Sequence, residues 1–137
     1  MVFVAQLHQL SDFALLMLRV GIGTIFLVHG TQKRKLWKVQ PSERMPAGFL
    51  RTLRFLSIAE PAGGLGVLVG FLTQPAALGL ALVMLGAIRF QVVQAHKKFT
   101  GEGVAGWEFE FLLLVVAIAL FLMGGGRFAL DRLVFGI

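Results

Sequence analysis

The chain is 137 residues long, the length of one domain; 57% of it is hydrophobic, and its mean hydropathy is +0.83. A soluble domain of this size cannot bury that much apolar surface, so a bilayer is its natural solvent. Thirteen Lys and Arg against seven Asp and Glu leave a net charge of +6, and the lack of cysteine excludes disulfides, thiolate catalysis, Fe–S ligation and CxxC exchange, while leaving the redox compartment undetermined.

Residues 1–12 carry no Lys or Arg, and no small-residue cleavage site follows the first apolar run, so that run is expected to be retained rather than cleaved as a signal peptide. A spanning helix needs about 20 mostly apolar residues. Four segments qualify, at 13–31, 50–72, 75–95 and 107–124. The expected fold class is all-α, an integral membrane antiparallel four-helix bundle forming a single domain over residues 1–137.

In the first span Arg19, Gly23, Phe26, Gly30 and Lys33 recur at helical spacing, which puts Arg19 and Lys33 on one stripe, with His29 near its inner end. Positive charge then concentrates in residues 33–54, as Lys33, Arg34, Lys35, Lys38, Arg44, Arg51 and Arg54. No basic face alternates with exposed aromatics on a soluble scaffold, so the expected counter-charge is an anionic membrane surface and not nucleic acid. Arginines mix with Phe49, Leu50 and Leu53 in residues 45–55, so part of this stretch is expected at the interface.

The second span holds Glu60 within the almost uncharged residues 55–72, beside Ala59, Gly63, Gly64, Gly66 and Gly70. An ionised carboxylate at membrane depth is costly unless a partner or internal water takes up its charge, which makes Glu60 a candidate site. The short Thr73-Gln74-Pro75 punctuation makes the second and third spans antiparallel neighbours, with Pro75 tolerated in a first turn. Gly79 and Gly86 lie one heptad apart in the third span, and Arg89 sits short of its inner end, with His96 two turns further on the same face. Gly101, Gly103 and Gly106 mark the third connection; Glu108 and Glu110 open the fourth span, where carboxylates suit a helix N-terminus, and Gly124 to Gly126 end it.

Lys97 and Lys98 join the first loop's cations on one side, against Arg127 and Arg132 on the other. The positive-inside rule then puts both termini outside, in a multi-pass protein of the cytoplasmic (inner) membrane. Small-residue faces supply close helix contact in lipid; here they serve packing inside the bundle, a homo-oligomer or protein partner, or a ligand-admitting gap. No internal repeat is strong enough to argue an inverted-repeat transporter.

All four helices thus bring an ionisable group into the cytoplasmic half, and two readings stay open. Arg19, Glu60 and Arg89 form a structural ion-pair network while Lys33, His29, His96 and Glu108 snorkel to the interface, or the charges line a polar pocket for a ligand or proton. A bis-histidine haem on His29 and His96 lacks any further haem signature, and a zinc site from His29, His96, Glu60 and Glu108 lacks close ligand spacing, so no metal is assigned. There is no GxSxG, P-loop or dinucleotide fingerprint. Acid–base or anion chemistry remains, with Glu60 and Glu108 as candidate catalytic proton acceptors, and Arg19, Lys33 and Arg89, with His29 and His96, as candidates to bind an anion or a quinone oxygen.

The ordered residues resemble the DoxX family of small four-helix membrane proteins. The pieces that carry the resemblance are Arg19 followed by His29-Gly30-x-x-Lys33, Glu60-Pro61-Ala62-Gly63-Gly64 with Gly70 and Thr73, Gly106-Trp107-Glu108, and the closing run from Gly124 to Asp131. Ala129 stands where the family's closing motif has serine and Gly125 where it has proline, so no hydroxyl role carries over there; without cysteine, neither does thiol chemistry. The resemblance implies a four-helix bundle associated with quinone-linked oxidation or redox stress, or an assembly factor. The expected function is a subunit of a membrane oxidoreductase system that binds a quinone or small anion and holds no redox centre of its own. The alternatives are a non-catalytic assembly module and a small oligomeric transporter.

Overall fold

The computed structural model describes residues 10–101, 103 and 105–136. Residues 1–9 of the segment that precedes the first apolar run lie outside the described residues. Helix α1 (Ser11–Gln32) runs directly into a 3₁₀ helix (Lys33–Lys38); α2 (Ala47–Val69) follows, then α3 (Thr73–Arg89) with a π-helical turn (Phe90–Gln94), α4 (Glu108–Met123) and the short α5 (Leu130–Phe135). Among the described residues the sole β pairing is an isolated bridge between Ser42 and Met45.

Three helical stretches, Ser11–Lys38, Ala47–Val69 and Thr73–Gln94, are long and apolar enough to cross a membrane. Phe55, Ile58, Leu82 and Leu122 each expose more than half of their surface, which a bilayer solvates and water does not. The chain is an all-helical, multi-pass membrane protein. Helix α4, with 16 residues, is shorter than the roughly 20 that a spanning helix needs.

The most extensive packing is between α1 and α2, and it follows from the stripe seen in the sequence. Arg19, Gly23, Phe26 and Gly30 are all buried. Running antiparallel, Arg19 meets Val67 and Leu68, Gly23 meets Gly64, Gly30 meets Pro61, and Lys33 meets Glu60. Gly23 and Gly64 are reciprocal: a Cβ on either would stand within 2.8 or 2.9 Å of the other's carbonyl oxygen. Such close backbone approach is what holds helices together where lipid gives no hydrophobic drive. On the other side of α2, Gly63 and Gly66 admit Leu80 and Ala76 of α3.

Gly70 ends α2. At φ 73 it takes the left-handed conformation, and two bonds, Phe71 N–H to Gly66 O at 2.8 Å and Gly70 N–H to Val67 O at 3.2 Å, close a Schellman motif. The expected second span therefore stops at Val69, three residues before Leu72, and α3 begins at Thr73 with Pro75 inside its first turn. The third span does not stay regular to Ala95. Its last turn is π-helical and His96 has φ 49, so Arg89 and His96 do not share a helix face as their spacing suggested.

The core lies between the helix pairs, where Ile22, Phe26, Val67, Leu80, Met84, Leu113 and Leu120 pack together. Contacts between His29 and Phe109 and between Phe49 and Phe90 gather the long connections at one end, the loop end. At the opposite turn end, Phe71 stacks on Phe135 and Asp12 accepts a bond from the Arg127 amide. The packing makes a sharp distinction among the glycines. Gly64→Val should destabilise the protein by about 1–3 kcal/mol through overpacking against α1, whereas Gly79→Ala, inside α3 with nothing within 4 Å, should leave stability unchanged or raise it by up to about 1 kcal/mol; thermal unfolding of both variants in detergent checks this.

Candidate functional site

Arg19 is buried to 1% exposure, and its guanidinium is fully engaged. It donates from Nε to Val67 O at 2.9 Å, and through its terminal nitrogens to Leu68 O and Gly125 O, each at 3.0 Å. Of these acceptors, Val67 O and Leu68 O lie in the last turn of α2, where Val67 O also takes the Gly70 amide, and the negative end of a helix dipole suits a cation. The third comes from the glycine turn after α4. Arg19 thus belongs to the turn end, about 21 Å of helical rise from Lys33, and not to a cytoplasmic-half cluster with Glu60.

Asp131 completes this arrangement. Its carboxylate accepts from the amides of Leu72 at 2.6 Å and Thr73 at 2.8 Å, capping α3 from a distant part of the chain, while its own amide donates to Gly70 O at 2.8 Å. Leu72 has φ 50, so the cap also holds a non-glycine residue in the left-handed region. Burial pushes the Asp131 carboxyl up, but the amides of Thr73 and Leu72 and the charge of Arg19 outweigh it and hold the group below its ordinary value.

At the loop end, Lys33 Nζ donates to Glu60 Oε1 at 2.5 Å. Glu60 is 2% exposed and Lys33 27%, so the lysine reaches inward from the surface to a buried carboxylate. This is the ion pair that Glu60 makes; among the described residues none joins it to Arg19 or Arg89, the partners its depth suggested. Glu60 Oε2 is buried and has no hydrogen-bond partner.

One turn earlier on α2, the Trp37 indole N–H donates to Ser57 Oγ at 2.9 Å, and Ser57 donates to Arg54 O at 2.6 Å. Arg54 in turn donates to Leu36 O and Val39 O and lies 5.9 Å from the Trp37 ring. The 3₁₀ helix is thereby laid against α2. Between them Arg34, Trp37, Ser57, Ile58, Pro61 and Ala62 line an open groove of about 500 Å³.

The remaining candidates divide. His29 is exposed, lies one turn before Lys33 and stands beside Phe109, the residue that follows Glu108 in α4. Glu108 and Glu110 each keep a buried Oε2 without a partner. Arg89 and His96 are exposed at the end of α3, and the structure does not bring them to the Lys33–Glu60 pair by any hydrogen bond or ion pair among the described residues. Among the described residues no group of three His, Cys, Asp or Glu could hold a metal ion. Sequence reasoning missed Asp131, Trp37 and Ser57. For Asp131 a signal existed, a lone carboxylate just past a glycine turn.

The depressed Asp131 carboxyl has a defined pH signature. A group whose folded-state value lies below its unfolded one, about 3.9 for aspartate, contributes stability fully above that unfolded value and loses it as pH falls through the folded one. Thermal unfolding between pH 7 and pH 3 should show this loss in the parent protein, and Asp131→Asn should be less stable at neutral pH and correspondingly flatter below pH 4.

The DoxX family profile matches residues 14–97, which include most of α1, the Lys33–Glu60 pair and α3. The chain is 33% identical over 130 residues to the Bacillus subtilis (strain 168) protein named "Putative oxidoreductase CatD", across 94% of this chain and 92% of that one. No solved structure matches the chain. The extent of both matches, and the placement of Arg19, Lys33, Glu60 and Gly70 within them, make this chain a member of the DoxX family.

Proposed function

We propose that the protein is a subunit of a membrane oxidoreductase system and that its ligand site is the Lys33–Glu60 pair, which binds a quinone or a small anion. The observation that carries this reading is the buried Glu60 Oε2, which has no partner although its sister oxygen accepts from Lys33. A pair serving only helix register is cheapest with every acceptor satisfied, because an unpaired buried polar atom carries its full desolvation penalty. A donor group on a ligand, such as a quinol hydroxyl, supplies what Oε2 lacks, and the Lys33 ammonium can donate to a carbonyl or anionic oxygen. Reduction of a quinone takes two electrons and two protons; Glu60 exchanges protons here, and the electrons come from a partner protein or diffusible donor. The Bacillus relative, named "Putative oxidoreductase CatD", supports the same class.

In this reading α4 is the fourth span and the basic loop end faces the cytoplasm. Gly79 and Gly86 leave α3 with a bare, open face, which favours a second reading, assembly of a partner protein through that face.

Two measurements test these readings. A short-chain benzoquinone should bind the purified protein, and Glu60→Gln should lower its affinity about tenfold or more while the helical spectrum and melting stay intact. Undiminished binding by the Gln variant refutes the ligand site, and loss of partner association in Gly86→Leu but not in Glu60→Gln supports assembly. For topology, the cysteine-free chain allows single labels: Gln40→Cys and Thr100→Cys should react from the cytoplasmic side and Phe128→Cys from outside. Labelling of positions 100 and 128 from one side would remove α4 as a span.

A further inference from the structure

Residues 33–54 carry seven cations and one acid, Glu43. Two of the cations are committed, Lys33 to Glu60 and Arg54 to the carbonyls of Leu36 and Val39. Arg34, Lys35, Lys38, Arg44 and Arg51 are exposed and form no ion pair among the described residues. The 3₁₀ helix has three residues per turn, so it stacks Arg34 above Trp37 along one edge and Lys35 above Lys38 along the next.

The first edge forms a wall of the groove beside α2, and the groove is graded in polarity. Arg34 and the half-exposed Trp37 stand at its polar rim, the buried Ser57 holds the Trp37 indole, and Ile58, Pro61 and Ala62 make an apolar floor. Ile58 and Ala62 are exposed on the outer side of α2, in line with Phe55 and Leu65, so the floor opens to the hydrocarbon of the bilayer. A tryptophan at such a boundary sits at headgroup level. Glu60 does not line this groove; it is buried against α1, and the two features are separate.

We propose that the groove binds an anionic phospholipid, with its phosphate on Arg34, Lys35 and Lys38 alongside, and one acyl chain on Ile58 and Ala62. Charge complementarity selects the sign of the headgroup, since one acid among seven cations leaves the rim uncompensated. The apolar floor selects a lipid over a free anion, because free phosphate gains nothing from Ile58 and Ala62. A zwitterionic lipid brings its own ammonium to a cationic rim and is disfavoured.

The test uses the full chain purified in a neutral detergent, with lipid binding read by native mass spectrometry and by melting temperature. Phosphatidylglycerol should bind about tenfold tighter than phosphatidylcholine, and inorganic phosphate should not raise the melting temperature. Arg34→Gln and Ile58→Trp should each erase most of that preference, while Arg51→Gln, which removes an exposed cation that does not line the groove, should keep it. All three positions are exposed, and the helical spectrum of each variant is recorded alongside; Ala62→Trp replaces Ile58→Trp if the latter does not fold. Equal binding of the two lipids overturns the proposal. So does an equal effect of Arg51→Gln, which would reduce the site to diffuse surface charge, or stabilisation by inorganic phosphate that Ile58→Trp leaves unchanged, which would make it a free-anion site.

Discussion

The structure turns on Arg19 and the carbonyl cage around it. A buried guanidinium is tolerated only where its donors are met, and this one is met by the end of α2 and by the turn after α4. That requirement explains the glycines at the turn end. A side chain at Gly70 would run into the Arg19 guanidinium and into Ala129, and one at Gly125 would strike Ala129 and the Thr73 hydroxyl. Glycine lets the backbone come close enough for its oxygens to serve as ligands to the cation. Asp131 then fastens the chain's last described helix to the α2–α3 turn and adds a negative charge near the arginine.

From this anchored end the α1–α2 seam runs in one register to the other end of the molecule. Gly23 against Gly64 and Gly30 against Pro61 set the helix separation, and the register delivers Lys33 to Glu60. The two charged centres have different characters. Arg19 is wholly buried with every part of its fork engaged, which is the condition of a structural charge. Glu60 is just as buried but only half satisfied, beside a lysine that keeps contact with the surface. The contrast between them, more than the presence of either charge, directs the functional reading to the loop end.

Much of this was legible in the sequence. The stripe of Arg19, Gly23, Phe26, Gly30 and Lys33 followed from the helical period, and it is the face that α1 buries, with Lys33 partly exposed at its end. The helix lengths followed from apolar runs, and the glycine run from Gly124 marked a true helix end, whereas Gly70, placed inside an expected span that ran to Leu72, ends α2 in the left-handed conformation. What failed was the pairing of charges. Counting residues into each span measures depth along one helix and says nothing about which face a neighbouring helix presents. Arg19 was therefore matched with Glu60 across a gap that the seam does not close, and Lys33, taken for a snorkelling residue in one reading, proved to be the partner. His96 fell away from Arg89's face because a π-helical turn shifts the helical phase, and periodicity cannot anticipate that.

The sequence by itself determined the solvent, the helices and the small-residue seams, because hydropathy, period and glycine placement are local properties of the chain. Tertiary structure alone decided which charges are satisfied. Arg19 is satisfied by backbone oxygens, which every residue possesses and no sequence pattern displays. Asp131 reaches the start of α3 from 58 residues away. The orphan oxygen of Glu60 appears only once the surrounding helices are in place, since the lack of a partner is a property of the packed neighbourhood and not of any residue within it.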